Sequence, residues 1–404
     1  MKKNKIWVVS EYFYPNIKSS TGYFMTSIAE KLAEVNLVST ITATKGQLNK
    51  NSSEVYKNIE IIRVKDINLN KNNLIQRFFK LIIMTFRLSF QILFRVKSGD
   101  KIFCVTNPAF IILLIPLLKK LKRNINSTIL VYDVLPENFH AAKILNNKSI
   151  VYSIIKFFFN KSYASFDNII TIGRDMEKVF KKKLPINYHQ NIKIITNWAE
   201  TDLVKPYPKF DNKIIKSLKL ENKIVLQFAG NIGRLQGLKK LVSIFAKCDS
   251  NRFHFLFIGD GVVLPELKTF VFNNKVKNIT FLGSLPRSEQ NNFLNACDIG
   301  LVTLNQNMFG LGVPSKSYNI LSCEKPIFFI GNLESEIALM IKENQIGWAI
   351  ENNDAFKIPS ILNEIYENKE LLKKMSLKCR QLVIKKYSKS VILKKYEKLL
   401  SFSN

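Results

Sequence analysis

The chain has 404 residues, of which 61 are Lys or Arg and 31 are Asp or Glu, giving a formal net charge of +30. Hydrophobic residues make up 47%, enough for the cores of two ordinary domains and too many for a disordered chain. Five scattered cysteines (Cys104, Cys248, Cys297, Cys323, Cys379) contain no CxxC pair, which excludes a disulfide scaffold or zinc ribbon and fits a reducing compartment. Three histidines (His140, His189, His254) argue against a His-built metal site, and no metal or other cofactor is expected. The positive excess calls for an anionic partner: nucleic acid, anionic lipid or a phosphorylated metabolite.

In chain order, Met1–Lys5 runs into Ile6-Trp7-Val8-Val9-Ser10, too short for a signal-peptide core and read as part of a strand over 5–10. A polar loop and Thr21-Gly22 follow, opening a helix over 22–35; a small residue there lets a ligand approach the helix. Strands are predicted at 37–43 and 59–64. Residues 78–96 (FFKLIIMTFRLSFQILFRV) form an apolar, Phe-rich helix cut by Lys80, Arg87 and Arg95. Such a helix can lie in a membrane interface with its cations on anionic headgroups; the alternative is a buried helix with its charges at the wet edge. Residues 110–118 (FIILLIPLL) are shorter and end in Lys119, Lys120, Lys122 and Arg123. No uncharged apolar run reaches 18 residues, so no spanning helix is predicted.

Strands at 101–105, 127–132, 168–172 and 192–195 complete a first series. Asn197–Pro208, with two prolines and no periodicity, reads as a linker. Beyond it, strands at 223–229, 253–258, 278–282, 298–303, 326–330 and 347–350 alternate with helices such as 237–247, 262–275, 286–296 and 334–343. The tail 369–400 is helical and basic. Strand then helix, repeated twice, predicts an α/β chain of two Rossmann-like parallel-sheet domains, 1–200 and 201–384, with ligands at the carboxyl ends of the strands.

Four segments carry candidate chemistry. The strand ending at Phe228 leads into Ala229-Gly230-Asn231-Ile232-Gly233-Arg234-Leu235-Gln236-Gly237, a Gly-rich turn before a helix whose backbone N–H groups can approach a phosphate. Arg234 can add a bidentate contact. The same kind of turn also occurs without any phosphate ligand, and no Gly-Lys-Ser/Thr follows to make a Walker loop. Gly259-Asp260-Gly261 closes the next strand and is equally explained as a tight turn. Gly312-Val313-Pro314-Ser315-Lys316-Ser317-Tyr318-Asn319-Ile320-Leu321 opens a later helix. Pro314 and Ser315 suit its start. Lys316 in a first turn opposes the helix dipole unless it faces an anion, which points to a diphosphate; a solvated surface lysine is the alternative. In the first domain, Tyr132-Asp133-Val134-Leu135-Pro136-Glu137 sets two carboxylates at a strand's carboxyl end, where a general base would sit; alternatively Asp133 caps the turn and Glu137 is exposed.

Taken in order, these pieces resemble the family 4 glycosyltransferases of the GT-B fold over nearly the whole chain. The resemblance rests on SEYFYPNIKSSTGYFMTSIAEKLAE, YDVLPE, TNWAETDLVKP, FAGNIGRLQGL, FIGDG, FLGSLPRSE and GVPSKSYNILSCEKP. YDVLPE, AGNIGRLQGL and VPSKSYNIL look like the bacterial surface-polysaccharide (O-antigen) branch, whose donors are often UDP-linked amino sugars. The resemblance implies two domains facing a cleft, with a C-terminal helix over about 385–404 crossing back to the first domain. It implies a nucleotide base near Gly283 to Arg287 and a diphosphate over Gly233, Arg234 and Lys316. It also implies transfer with retention of configuration. The chain departs from the family pattern where the phosphate-loop Arg and Lys fall on Asn231 and Gln236. The usual glutamate pair is missing: its second member falls on Asn319, and 309–312 holds no acid. The usual catalytic histidine has no obvious counterpart; Asp133 is nearest, and His140 is a weaker candidate.

The expected function is transfer of a sugar from a nucleotide-diphosphate donor to a polyprenyl-diphosphate-linked glycan, without metal, on the inner face of the cytoplasmic membrane. Asp133, Glu137 and Lys316 are the candidate catalytic residues. A sugar-nucleotide epimerase of the same fold is the alternative. Nucleic-acid binding is not expected, because the aromatic residues are mostly Phe in apolar runs rather than interleaved with Lys. Residues 1–200 hold 31 basic and 13 acidic residues against 30 and 18 in 201–404, so the excess is larger in the domain expected to meet lipid.

Overall fold

The computed structural model describes residues 4–17, 19–44, 53–67, 74–122 and 124–402. Arg123 and the side chain of Phe78 lie outside the described residues. The chain forms two compact units: Met1–Ile172, Met176–Ile195 and Leu393–Asn404 in the first, Gly173–Asp175 and Thr196–Ile392 in the second. These divisions stand beside the expected boundaries at 200/201 and 384/385.

The first unit runs β1 (Ile6–Ser10), α1 (Ser20–Ala33), β2 (Val38–Ala43), β3 (Ser53–Tyr56), β4 (Ile59–Val64), α2 (Leu74–Arg95), β5 (Lys101–Val105), α3 (Leu114–Leu121), β6 (Asn126–Val131), α4 (Glu137–Ala141), α5 (Ile150–Ala164), β7 (Asn168–Thr171), α6 (Arg174–Lys183, whose first two residues count with the second unit) and β8 (Ile192–Ile194). The sheet order is β3-β4-β2-β1-β5-β6-β7-β8, parallel except for β3. The central strands β1 and β2 are buried along their whole length, as parallel strands covered on both faces must be, which is why they read as near-continuous β-branched runs. Strand β3 had no alternating apolar signal in the sequence. It is a half-exposed edge strand, so its residues needed no core pattern.

The second unit runs α7 (Lys213–Leu218), β9 (Ile224–Ala229), α8 (Leu238–Phe245), β10 (Phe253–Ile258), α9 (Leu264–Asn273), β11 (Ile279–Leu282), α10 (Gln290–Leu294), β12 (Ile299–Thr303), α11 (Lys316–Ser322), β13 (Ile327–Ile330), α12 (Glu336–Asn344), β14 (Gly347–Ile350), α13 (Ile358–Glu367), α14 (Lys369–Leu382) and α15 (Lys389–Leu400). Its sheet order, β11-β10-β9-β12-β13-β14, is parallel throughout. Within α15 the chain leaves the second unit, and its last twelve residues belong to the first. There Tyr396 is buried 6.1 Å from the Phe103 ring, and Lys101 Nζ donates to the Ser401 carbonyl at 2.6 Å.

The Phe-rich helix buries one face and exposes another. Met84, Leu88, Ile92 and, just beyond α2, Val96 recur every four residues and are buried, the spacing of one helical face. Phe86, Phe90 and Phe94 share another face and are exposed. Lys80 does not sit at a wet edge: it is mostly buried, 2.7 Å from Asp66 Oδ1 and 3.9 Å from Glu11 Oε1. No helix among the described residues is long and apolar enough to cross a membrane.

Candidate functional site

In the second unit, β9 lies between β10 and β12, so the chain departs from it in opposite directions and opens a crevice at the strands' carboxyl ends. The loops leaving β9 and β12 are tied together there. Asn305 N donates to the Leu235 carbonyl and Asn305 Nδ2 to the Arg234 carbonyl, both at 2.9 Å; Thr303 Oγ1 donates to the Gln236 carbonyl at 2.8 Å. The turn after β10 is zipped to the same loop. Gly230 N donates to the Ile258 carbonyl and Ile232 N to the Asp260 carbonyl. The approach is so close that a Cβ on Gly259, whose φ is +138°, would lie 1.9 Å from the Gly230 oxygen. Gly261 lies against Ile232 in the same zipper. Glycine at 259 is therefore required by backbone contact.

This zipper leaves the N–H groups of Asn231 and Gly233 without an acceptor among the described residues. Beside them stands Lys316. Its Nζ occupies the space a side chain on Gly230 would need, 1.1 Å from the Cβ position, and lies 5.7 Å over the Phe228 ring. No carboxylate among the described residues pairs with it. Water still reaches the residue, but crowding by protein around the ammonium removes hydration and pushes its pKa down to about 8. Gln236 brings a buried, unpartnered side-chain oxygen close to Gly233; turned over, its amide would present a donor instead. Arg234 is exposed on a single 3-10 turn. An unpaired ammonium and two N–H groups without acceptors, on one glycine loop that also carries Arg234, are the kind of donor set that can bind an oxyanion.

Other expected residues fall differently. Pro314 and Ser315 immediately precede α11, but Ser315 makes no side-chain capping bond. Asn319 Oδ1 accepts the Glu200 N–H at 2.9 Å; that oxygen holds the chain entering the unit and is not open to a ribose. Ile320 is buried, with its methyl group filling the space over Gly300; its side chain is core and lines no ligand surface. Gly283 and Arg287 are exposed beyond β11, at the sheet edge.

In the first unit, Thr21 lies in the first turn of α1. Gly22 does face a close neighbour, but it is the chain itself: a Cβ there would lie 2.3 Å from the Asn16 oxygen. Its smallness accommodates the β1–α1 loop and leaves no opening for a ligand. Asp133 follows β6, is exposed, and accepts from Asn138 Nδ2 at 2.7 Å. Glu137 is engaged, with both oxygens 2.7–2.8 Å from the buried Lys183 Nζ. Burial pushes the Lys183 pKa down to about 8 against the pull of Glu137. A carboxylate clamped in this way is a poor general base, which leaves Asp133 as the accessible one of the two. His140 is exposed, with Nδ1 3.2 Å from the Leu145 carbonyl.

Two polar clusters escaped the sequence reading. Glu11, at the end of β1, is buried facing Lys80; an acid directly after IWVVS carries the same strand-end signal as Asp133. Arg174, directly after Gly173, binds the buried Glu336 through its backbone N and Nε, both at 2.8 Å. A partner 162 residues away leaves no local mark in the sequence.

Residues 209–382 match the family model described as Glycosyl transferases group 1. The chain is 34% identical over 367 residues, 90% of each chain, to the "Probable glycosyltransferase WbjE" of Pseudomonas aeruginosa. Among solved structures, the sucrose-phosphate synthase of Thermosynechococcus elongatus superposes with a TM-score of 0.77 at 13% identity, covering 98% of each chain. The Anabaena protein HepE in complex with UDP-glucose superposes at 0.69 and 15% identity, covering 98% of this chain and 99% of that one. These two likenesses show the fold.

Proposed function

The chain belongs to the group 1 glycosyltransferases and has their GT-B fold, and within that family we propose that it moves a sugar from a UDP-linked donor, an N-acetylated amino sugar by resemblance, to a polyprenyl-diphosphate-linked glycan of a bacterial surface polysaccharide. The observation that carries the donor half is the unpaired Lys316 ammonium over Gly230, beside the free N–H groups of Asn231 and Gly233. Arg234 and Gln236 flank the same diphosphate, and the base lies toward Gly283 and Arg287.

Chemically, the bond between the sugar's anomeric carbon and the donor phosphate breaks, and its electron pair leaves with the nucleotide diphosphate. The leaving group gains charge as the bond lengthens, so fixed cations and N–H dipoles stabilise the transition state more than the bound donor. The acceptor oxygen bonds to the anomeric carbon on the face the phosphate leaves, retaining configuration. Its proton passes to a departing phosphate oxygen or to Asp133, with Glu137 supporting that strand end through Lys183. This account needs no metal. The enzyme works as a peripheral protein on the inner face of the cytoplasmic membrane, held by helix 78–96, and takes no nucleic acid.

The test is a thermal-shift screen of UDP-sugars, followed by transfer assays with the best binder and polyprenyl-diphosphate acceptors. Acceptor-dependent UDP release with product of unchanged anomeric configuration is expected. Formation of an epimer from donor alone would instead establish the epimerase reading.

A further inference from the structure

We propose that the first unit docks on an anionic phospholipid leaflet through a three-helix platform, in which α5, unremarked in the sequence, is a second apolar wedge beside α2. The proposal rests on the membrane location proposed above and names the surface that achieves it. A short 3-10 turn over Ala109–Leu113 contacts α2, α3 and α5, and α3 also touches α5. Phe110 of that turn meets the buried Phe159 of α5 at 6.2 Å. The three helices therefore gather on one flank of this unit.

Each helix buries one stripe and leaves large apolar side chains in water on another. On α2 these are Phe86, Phe90 and Phe94, on α3 Leu117 and Leu121. On α5, Ile154, Phe157 and Phe158 are 52%, 61% and 53% exposed. Exposed apolar surface on this scale marks an interaction site. A shallow hollow of about 450 Å³ on α5 is lined by Lys148, Ile150, Ser153, Ile154, Phe157 and Phe158.

Charge selects the occupant. Helices α2, α3 and α5 carry no Asp or Glu. Lys97, Lys120, Lys148 and Lys161, on or beside them, are exposed and have no carboxylate partner among the described residues. In a two-fold dimer through this face, one surface with cations and no Asp or Glu on its helices would meet its own copy, which is unfavourable. An anionic leaflet offers hydrocarbon to the Phe and Leu side chains and phosphate to the lysines, satisfying both at once.

The experiment is co-sedimentation of the full chain with vesicles of phosphatidylglycerol and phosphatidylethanolamine, against phosphatidylcholine alone, with no donor or acceptor present. Salt-sensitive binding to the anionic vesicles is expected. Ile154→Ser/Phe157→Ser/Phe158→Ser should weaken it about tenfold or more while leaving UDP-induced thermal stabilisation unchanged. Lys148→Glu/Lys161→Glu, at exposed and unpaired positions, should weaken binding to anionic vesicles without loss of folding. Three outcomes overturn the proposal: no vesicle binding by the wild type, unchanged binding by a folded α5 variant, or a wild-type dimer that the α5 substitutions dissociate. Because vesicle binding needs no turnover, and transfer to a short water-soluble acceptor needs no vesicle, failure here is distinguishable from failure of the proposed activity.

Discussion

Lys316→Ala tests the donor site most directly. The substitution removes an ammonium that rests over Gly230 and has no carboxylate partner among the described residues. Two opposite charges about 4 Å apart at an effective dielectric near 20 attract by roughly 4 kcal/mol. Lys316 retains access to water, so about half of that survives screening. A loss of about 2 kcal/mol in the transition state lowers kcat/KM for the donor by about 30-fold. Stability should move the other way. Folding depresses this lysine's pKa from 10.5 to about 8, so the folded chain disfavours the charge, and the alanine variant should melt no lower than wild type. The charged form that binds a diphosphate dominates below about pH 8 and is lost above it, so donor affinity should weaken as pH rises through 8. Steady-state kinetics against donor concentration from pH 7 to 9, with a thermal melt of each protein, make the comparison. A variant within about threefold of wild type, or one that keeps the wild-type pH dependence, would refute the argument.

Asp133→Asn should lower kcat by about a hundredfold or more with little change in melting temperature, since a positioned base contributes 10²–10⁴-fold and Asp133 is exposed; the pre-steady-state rate with saturating donor reads this. Gly259→Ala should destabilise the second unit by about 2–3 kcal/mol in a denaturant titration, through its left-handed φ and the 1.9 Å clash with the Gly230 oxygen; unchanged unfolding would show that the loops separate easily. His254 is buried against Thr280, and burial depresses its pKa to about 4. The unfolded chain therefore binds the extra proton below about pH 6.5, and up to about 3 kcal/mol of stability is lost as pH falls toward 4. His254→Gln should flatten that part of the melting-temperature profile, and an unflattened profile would assign the acid sensitivity to other groups.

The alternation of β-branched strands with amphipathic helices made the two parallel sheets legible, because strands buried on both faces must be apolar throughout. Among the described residues, thirteen of the fourteen strands lie where that pattern places them. The exception is β3, an edge strand with no core to fill. The Gly-rich loop after β9 and Lys316 were also readable, since a glycine before a helix and a cation in a first turn are local anomalies. What those residues touch was not. Gly22 looked like an opening for a ligand, but the Asn16 carbonyl fills it. Glu137 looked like a second base, but Lys183 holds it from 46 residues away. Asn319 looked like a ribose ligand, but its oxygen holds the Glu200 N–H.

The sequence by itself determined the element order, the family resemblance and the sign of the charge, because these depend on residue type and near-neighbour spacing. Only the tertiary structure decided which polar groups are free. A side chain's availability depends on partners brought to it by sheet order, and sheet order places residues far apart in the chain within hydrogen-bond reach. The same reason separates the two faces of α2. Its composition announced an apolar helix, but only packing against the first sheet showed that Met84 and Leu88 are core while Phe86, Phe90 and Phe94 stay in water.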